Sequence, residues 1–571
     1  MVKFLIGLVT GVLLVILTIG LLFFAALRFR ERPPDIADNS VVLLQLQGDI
    51  PEKAPVEIPF LSEGQVLTVA DVWTLLRNAA ADSHIKAVVV EPEGLSAGWA
   101  KIEELRGDLE KFRKSGKPVY AYLRTPQARD YLLACGADRI YMGPADQFYV
   151  KGLRAELMFF KKTLDKLGVT VDVEHAGKYK DFGDQFTRPD MSPETKEVIN
   201  SVVDGLYGSM VDAIAAGRKK KPEEVRASID QGVFLADQAQ KAGFVDELRF
   251  EDEMWTDIKN RLHVKDMKKV RATTYAKAEE PTGLRGRSRI ALVVGEGDIV
   301  RGSPADNATD ENNLASYPFD RLLEQVANDA SIKGVVVRID SPGGEVVASD
   351  EIWREMNLLS KKKPVVISMS DLAASGGYYI AMTGDPILAY PGTETGSIGV
   401  VFGKPNLRGL YDKLGVTKDA IQRGRYADID SDYSSLSPDE RAKLKEGIDA
   451  SYRDFVTKVA TARRRSFNEI EPVSQGRVWL GSQAKARGLV DQLGGLDDAI
   501  DQVKKRAKIP VDEVVTVVSY PPRRSVLDLL LHRSQQDLLE SKLAQAFQGL
   551  PFQAWMHGGM LRLMPYWIVV K

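Results

Sequence analysis

Phe4 to Leu27 is a run of 24 residues without a charge. About 20 apolar residues span a bilayer. A secretory signal has a shorter apolar stretch and a small-residue cleavage site, and Ala25-Ala26-Leu27 before Arg28 is a poor one. The run predicts an uncleaved transmembrane anchor over 4–27. Lys3 lies on one side of it and Arg28, Arg30 and Arg32 on the other, a charge bias that by itself places the rest of the chain in the cytoplasm. Beyond the anchor, short β-branched runs alternate with stretches whose apolar residues recur at helical spacing. Val335–Ile339 and Pro364–Ser368 read as strands, and Phe319–Asn328 and Ser349–Leu359 as amphipathic helices. Such alternation predicts α/β layers around largely parallel sheets.

The pattern occurs twice. Ile85–Val90 (IKAVVV) matches Ile332–Val337 (IKGVVV), Asp165–Val169 matches Asp412–Val416 (both DKLGV), and Gly177-Lys178-Tyr179 matches Gly424-Arg425-Tyr426, all at an offset of 247. Val233–Ala239 matches Val478–Ala484 at 245. Self-similarity on this scale means duplicated structural units. It predicts two copies of one domain, at 40–260 and 288–508, with a charged, Gly-containing linker at 265–287. A tail over 520–571 has apolar residues at helical spacing.

Composition adds exclusions. A formal net charge of −2 over 571 residues offers no bulk reason for nucleic-acid binding. The single cysteine, Cys135, rules out an intrachain disulfide or a Cys-cluster metal site and reads as a small buried hydrophobe. No P-loop, H-E-x-x-H or dinucleotide fingerprint is present.

The copies differ where chemistry would sit. After its IKGVVV strand the second has Asp340-Ser341-Pro342-Gly343-Gly344. Paired glycines there suit either a tight turn or backbone N–H groups aimed at developing negative charge. The next strand ends in Ala374-Ser375-Gly376-Gly377, where Ser375 is either a helix N-cap or a nucleophile, with the Gly376 N–H beside it. At the matching place the first copy has Ala128 or Arg129. The loss then runs the other way: Lys180 of the first copy faces Ala427 of the second. One copy keeps a serine and the other a lysine, which points to one composite site. A serine hydroxyl needs a base within reach, and a lysine serves if burial keeps its amine neutral. Of the five histidines only His175 is an alternative base. Small neighbours around Ser375 suggest small or apolar side chains before the cut.

Ser341-Pro342-Gly343-Gly344, Ala374-Ser375-Gly376-Gly377-Tyr378, Thr395-Gly396-Ser397-Ile398-Gly399 and Gly177-Lys178-Tyr179-Lys180 together resemble the signal peptide peptidase A family in its long, double-domain form. The resemblance covers residues 1–508. It implies a tandem repeat of Clp protease/crotonase-like domains behind an N-terminal transmembrane helix. It implies Ser375 as nucleophile, Lys180 as general base, Ser397 holding the lysine, and Gly344 and Gly376 as oxyanion donors, with no metal, nucleotide or other cofactor. It further implies cleaved signal peptides and similar hydrophobic peptides as substrates, and a homotetramer on the cytoplasmic membrane with its catalytic domains on the periplasmic side. The chain departs from the family in Asp181-Phe182-Gly183, where Ser-Ala is usual after the lysine, so pocket shape and lysine burial are tests of the reading. A crotonase-type enzyme acting on acyl thioesters and a catalytically inactive membrane scaffold are the competing readings.

Overall fold

The computed structural model describes residues 33–55, 66–278, 280–281, 286–302, 313–522 and 560–564, with scattered positions before 33. The anchor expected over 4–27 and most of the tail expected over 520–571 lie outside the described residues. Among the described residues no helix is long and apolar enough to cross a membrane.

Each repeat is built on a parallel sheet with the same strand order. In the first, Glu247–Leu248, Arg139–Met142, Val119–Leu123, Ile85–Leu95, Ser40–Gly48 and Lys268–Arg271 lie side by side. In the second, Gln492–Leu493, Ile387–Ala389, Val365–Ala374, Ile332–Ser341, Ser288–Glu296 and Val515–Tyr520 take the same path. Val88, Val89 and Val90, like Val335, Val336 and Val337, are fully buried. Parallel strands covered by helices on both faces need such continuous apolar runs. The helices read from spacing appear as Ser316–Asn328 and Val346–Lys362. Two edge strands fall outside the repeat limits read from the sequence: Lys268–Arg271 inside the expected linker, and Val515–Tyr520 beyond 508. The first reads KKVR with three exposed residues, so it carries no apolar alternation to announce it.

A third sheet joins the repeats. Thr170–Ala176 of the first runs antiparallel to Val400–Asn406 of the second over seven residue pairs, from Thr170 opposite Asn406 to Ala176 opposite Val400. On the far side of Val400–Asn406 lies the short tail strand Leu561–Leu563, which also pairs with Gly343–Glu345.

Charge is buried at the joint between the two parallel sheets. Arg338, 1% exposed, bonds Glu52 at 2.8 Å, Glu104 at 2.5 Å and Ser368 at 2.9 Å. Lys101 bonds Asp340 at 2.8 Å. The Asp371 carboxylate accepts the backbone N–H groups of Gly98 and Lys101, both at 2.8 Å, and so caps the first-repeat helix Trp99–Arg113 from a second-repeat strand.

Candidate active site

Val365–Ala374 delivers Ser375. Opposite Val335–Ile339 its register is regular, but Ser341 pairs with Ala373 after a shift beyond Ile339 and Met369. Ser370 to Leu372 stand opposite the single residue Asp340 and form a bulge held by the Asp340 carboxylate, which accepts the Leu372 N–H at 3.0 Å. A bulge re-aims the side chains beyond it. Ser375 then takes φ 54°, ψ −112°, an uncommon conformation for a residue with a side chain. Its N–H donates to Gly396 O at 2.8 Å, and the short helix Gly376–Ile380 begins at once. The matching first-repeat helix, Ala128–Ala134, has Gln127 at its N-cap. Gln127, and not Ala128 or Arg129, therefore stands where the second repeat has its serine.

Lys180 arrives from the cross-repeat ladder. Four residues past Ala176, it is held by Gln475 of the second repeat: Tyr179 N–H donates to Gln475 O at 2.8 Å and Lys178 N–H to the Gln475 side-chain oxygen at 3.0 Å. Two glycines make room for its stem. A Cβ on Gly476 would fall 2.6 Å from Lys180 Cβ, and one on Gly399 would fall 3.0 Å from Lys180 Cδ. Gly399, the last residue of Thr-Gly-Ser-Ile-Gly, thus has a steric reason, and Gly476 is a contributor that motif reading missed.

The two side chains meet. Lys180 Nζ lies 2.8 Å from Ser375 Oγ, 2.8 Å from Ser397 Oγ and 2.8 Å from Ser397 O. Lys180, Ser375 and Ser397 are each 0% exposed. Burial pushes the Lys180 amine well below its usual pKa; nearby Asp181 opposes the shift and Arg562 adds to it. A neutral amine has two N–H donors and one lone pair. Its donors match the two Ser397 oxygens, which leaves the lone pair for the Ser375 hydroxyl proton. Ser397, at φ 49°, is fixed by donating its N–H to Arg477 O at 2.7 Å.

The unusual residues after Lys180 do not open the pocket. Asp181 turns away to accept the Thr195 hydroxyl; burial raises its carboxyl to about 6. Phe182 packs with Phe186, Val401, Leu561 and Leu563. His175 is exposed, with Nδ1 3.0 Å from Gly177 O, and does not join the buried cluster. Cys135 is buried in the first-repeat core, its thiol pushed up by burial to about 12, so it behaves as a small hydrophobe.

Gly343 and Gly344 lie beside the serine. A Cβ on Gly376 would fall 3.1 Å from Gly344 N, and one on Gly343 would fall 2.6 Å from Gly376 N. The N–H groups of Gly344 and Gly376 therefore flank one small space next to Ser375. Gly343 and Gly344 have φ 105° and 157°, open to glycine and strained for other residues. Among the described residues no cluster of metal-ligating side chains occurs.

Comparison with known proteins agrees with this picture. The model of peptidase family S49 matches residues 111–265 and again 357–510, and that of Clp protease matches 309–395. The chain is 35% identical over 508 residues to "Serine protease SPPA, chloroplastic" of Arabidopsis thaliana, covering 87% of this chain and 73% of that protein. It is 31% identical over 492 residues to "Protease 4" of Salmonella typhi, covering 84% and 78%, and 30% identical over 490 residues to "Protease 4" of Haemophilus influenzae, covering 82% and 77%. The architecture is a tandem of Clp protease/crotonase-like α/β domains. With both repeats matched and relatives aligned along most of its length, the chain belongs to peptidase family S49, as a serine protease of the long, double-domain kind.

Proposed function

We propose that this protein cleaves peptides through a Ser375–Lys180 dyad and an acyl-enzyme. The observation that carries the reading is the 2.8 Å contact between Lys180 Nζ and Ser375 Oγ, both fully buried. Neutral Lys180 takes the Ser375 proton as Oγ attacks the substrate carbonyl. The oxyanion is received by the N–H groups of Gly344 and Gly376. Collapse breaks the C–N bond, and the leaving amine takes the proton from Lys180. A water molecule, deprotonated by Lys180, then attacks the ester, and the proton returns to Ser375 as the acid product leaves. Ser397 keeps the amine aimed throughout. Replacing Ser375 or Lys180 by Ala and measuring hydrolysis of a fluorogenic peptide tests this. Full activity in both variants would exclude the dyad.

The substrates we propose are cleaved signal peptides and similar hydrophobic peptides. An anchor over 4–27 would hold the enzyme where they lie, in the cytoplasmic membrane with repeats 40–260 and 288–508 on the outer side. Carbonate extraction and protease accessibility of intact spheroplasts check the anchor and its orientation.

The assembly we propose is a homotetrameric ring. Its support is an unused half of the ladder that joins the repeats. At the repeat offset, the counterpart of Val400–Asn406 is 153–159, and that of Thr170–Ala176 is 417–423. Neither forms a strand with the other among the described residues. Both segments expose large apolar side chains: Met158 is 72% exposed and Ile421 is 89% exposed. If 417–423 of one copy lies on 153–159 of the next, the cross-repeat contact recurs between subunits, a heterologous interface that closes into a ring. The repeated joint would then pair Gln127 with Ala427, so only the intrachain joint carries chemistry.

A further inference from the structure

The described part of the tail, Met560–Met564, enters the site itself. Leu561–Leu563 fills a gap one strand wide between Gly343–Glu345 and Val400–Asn406. Val346 N–H donates to Met560 O at 3.2 Å, and Met564 N–H donates to Pro342 O at 2.9 Å. An antiparallel ladder alternates bonded and non-bonded pairs. Arg562, opposite Gly344, therefore sits at a bonded position. Its carbonyl oxygen fills the space flanked by the two candidate oxyanion donors: a Cβ on Gly343 would fall 1.9 Å from it and 2.6 Å from Gly376 N. Extended peptides commonly bind by adding a strand to a sheet edge, and this strand lies as the acyl side of a substrate would. Arg562 then occupies the position just before the scissile bond.

The pocket around the Arg562 side chain holds a cation: burial lowers its pKa, and Tyr379, Asp454 and Asp350 oppose that shift. The residue is 1% exposed. Its guanidinium stacks 3.6 Å from the Tyr379 ring centroid and 5.3 Å from that of Phe455. Nη2 reaches Asp454 Oδ2 at 3.4 Å, and Nη1 donates to Val346 O at 3.3 Å. Asp350 stands behind, accepting the Tyr379 hydroxyl at 2.6 Å. Lys458 bonds Asp350 at 2.7 Å and Asp454 at 3.0 Å, so two carboxylates share one lysine and keep one negative charge to spare. Flat rings with a carboxylate at their edge favour guanidinium or ammonium over a neutral side chain.

We propose that Asp454 and Asp350, with Tyr379 and Phe455, form the specificity pocket of this protease and select Arg or Lys immediately before the cleaved bond. The inference rests on the Ser375–Lys180 reading and extends it to the substrate. It replaces the expectation of small side chains at that position, because the pocket is deep and acidic. The neighbouring positions are apolar. Met560 packs against Val400, Phe402 and Ile448, while Leu561 and Leu563 face Phe182, Phe186 and Val401. A bound cation also favours the neutral form of Lys180, as Arg562 does here, so the preferred residue would assist the base.

The test uses the full chain and quenched fluorogenic peptides containing Met-Leu-X-Leu, with X as Arg, Lys, Leu, Ala or Glu. The expected kcat/KM for Arg and Lys exceeds that for Leu and Ala by about tenfold or more, with Glu cut most slowly. In Asp454→Asn and in Asp350→Asn the Arg-to-Leu ratio should fall about fivefold; a loss of activity common to both peptides cancels in that ratio. Leu or Ala cut best by the wild type, or a ratio unmoved in both variants, would overturn the pocket while leaving the dyad standing. Failure of the wild type to cut any of the five would instead bring down the dyad reading, and the pocket with it.

Discussion

Ala176 of the first repeat lies opposite Val400 of the second, and Lys180 and Ser397 leave the same end of that antiparallel ladder, four residues after one and three before the other. The composite site thus results from one strand pairing. Lys180 is carried by the first repeat but positioned by second-repeat groups: the Gln475 backbone, Gly476 and Ser397. Ser375→Ala and Lys180→Ala should each lower kcat/KM by about 10³-fold or more, and the double variant should be no worse than either single one. A stopped assay on a quenched peptide measures this. Losses that multiply would show that the residues do not act as a unit.

The steric fit of the lysine gives a second expectation. Gly476 has φ 75°, and a Cβ there would fall 2.6 Å from Lys180 Cβ. Gly476→Ala should shift the amine away from Ser375 and reduce kcat by about 10–100-fold, since a displacement near 1 Å costs that much at a reacting group. KM should change little. A variant with unaltered kcat would mean that the stem has slack.

The pH dependence has a definite sign. In the proposed mechanism Lys180 acts as the base only when neutral, and burial holds its pKa well below the usual lysine value. Activity should therefore rise with pH through that lowered pKa, and Lys180→Arg should be inactive at every pH. Stability depends on the same group. Between the lowered folded pKa and the unfolded value near 10.5 the unfolded chain binds the extra proton, so stability rises with pH across that window. Lys180→Met should raise Tm at pH 7, by an amount that shrinks as pH approaches 10.5. Calorimetry of the two proteins from pH 6 to pH 10 measures it, and a lower Tm for the variant throughout would contradict a neutral buried amine.

Much of this was legible in the chain, for reasons that particular residues make clear. The duplication showed itself because IKAVVV and IKGVVV keep the same buried strand, and the split of Ser375 from Lys180 because each has a counterpart of different chemistry. The register near the serine was not legible. The bulge at Ser370–Leu372 adds two residues to the second repeat, so counting from the paired strands, where Val365 matches Val119, gives Arg129 where the helix cap shows Gln127. The tail strand was hidden because three residues, Leu-Arg-Leu, carry no period of their own, and their partners lie some 160 to 220 residues away. Arg338 reads as an interruption of an apolar strand. Only the joint between repeats, which brings Glu52 and Glu104 to it, explains a charge there.

That joint supplies a stability prediction. Arg338 pairs with two carboxylates that are themselves 3% and 2% exposed in their side chains. Arg338→Ala leaves both buried without their partner and should destabilise the fold by about 3–5 kcal/mol. A triple change of Arg338, Glu52 and Glu104 to apolar residues of similar volume should recover most of the loss. Urea unfolding of the three proteins decides the matter, and an Arg338→Ala midpoint equal to wild type would show that water reaches the site.

The proposed ring would give a role to two exposed apolar side chains. Met158 and Ile421 are large, apolar and 72% and 89% exposed, on segments that the repeat offset equates with the two strands of the cross-repeat ladder. Charges at those points would have to be desolvated in a subunit interface, while on a free surface they would be solvated at little cost. Met158→Asp and Ile421→Asp should therefore each lower the assembly to monomers or short open chains in analytical ultracentrifugation, with the circular dichroism spectrum unchanged. Because the proposed interface is heterologous, mixing the two variants should give pairs and no closed rings. The unaltered 417–423 face of one variant meets the unaltered 153–159 face of the other, but the next contact around the ring joins two altered faces. Intrachain chemistry should survive the dissociation, since the pairing of Ala176 with Val400 is internal to one chain. A tetramer that persists in both variants would place the subunit contact elsewhere.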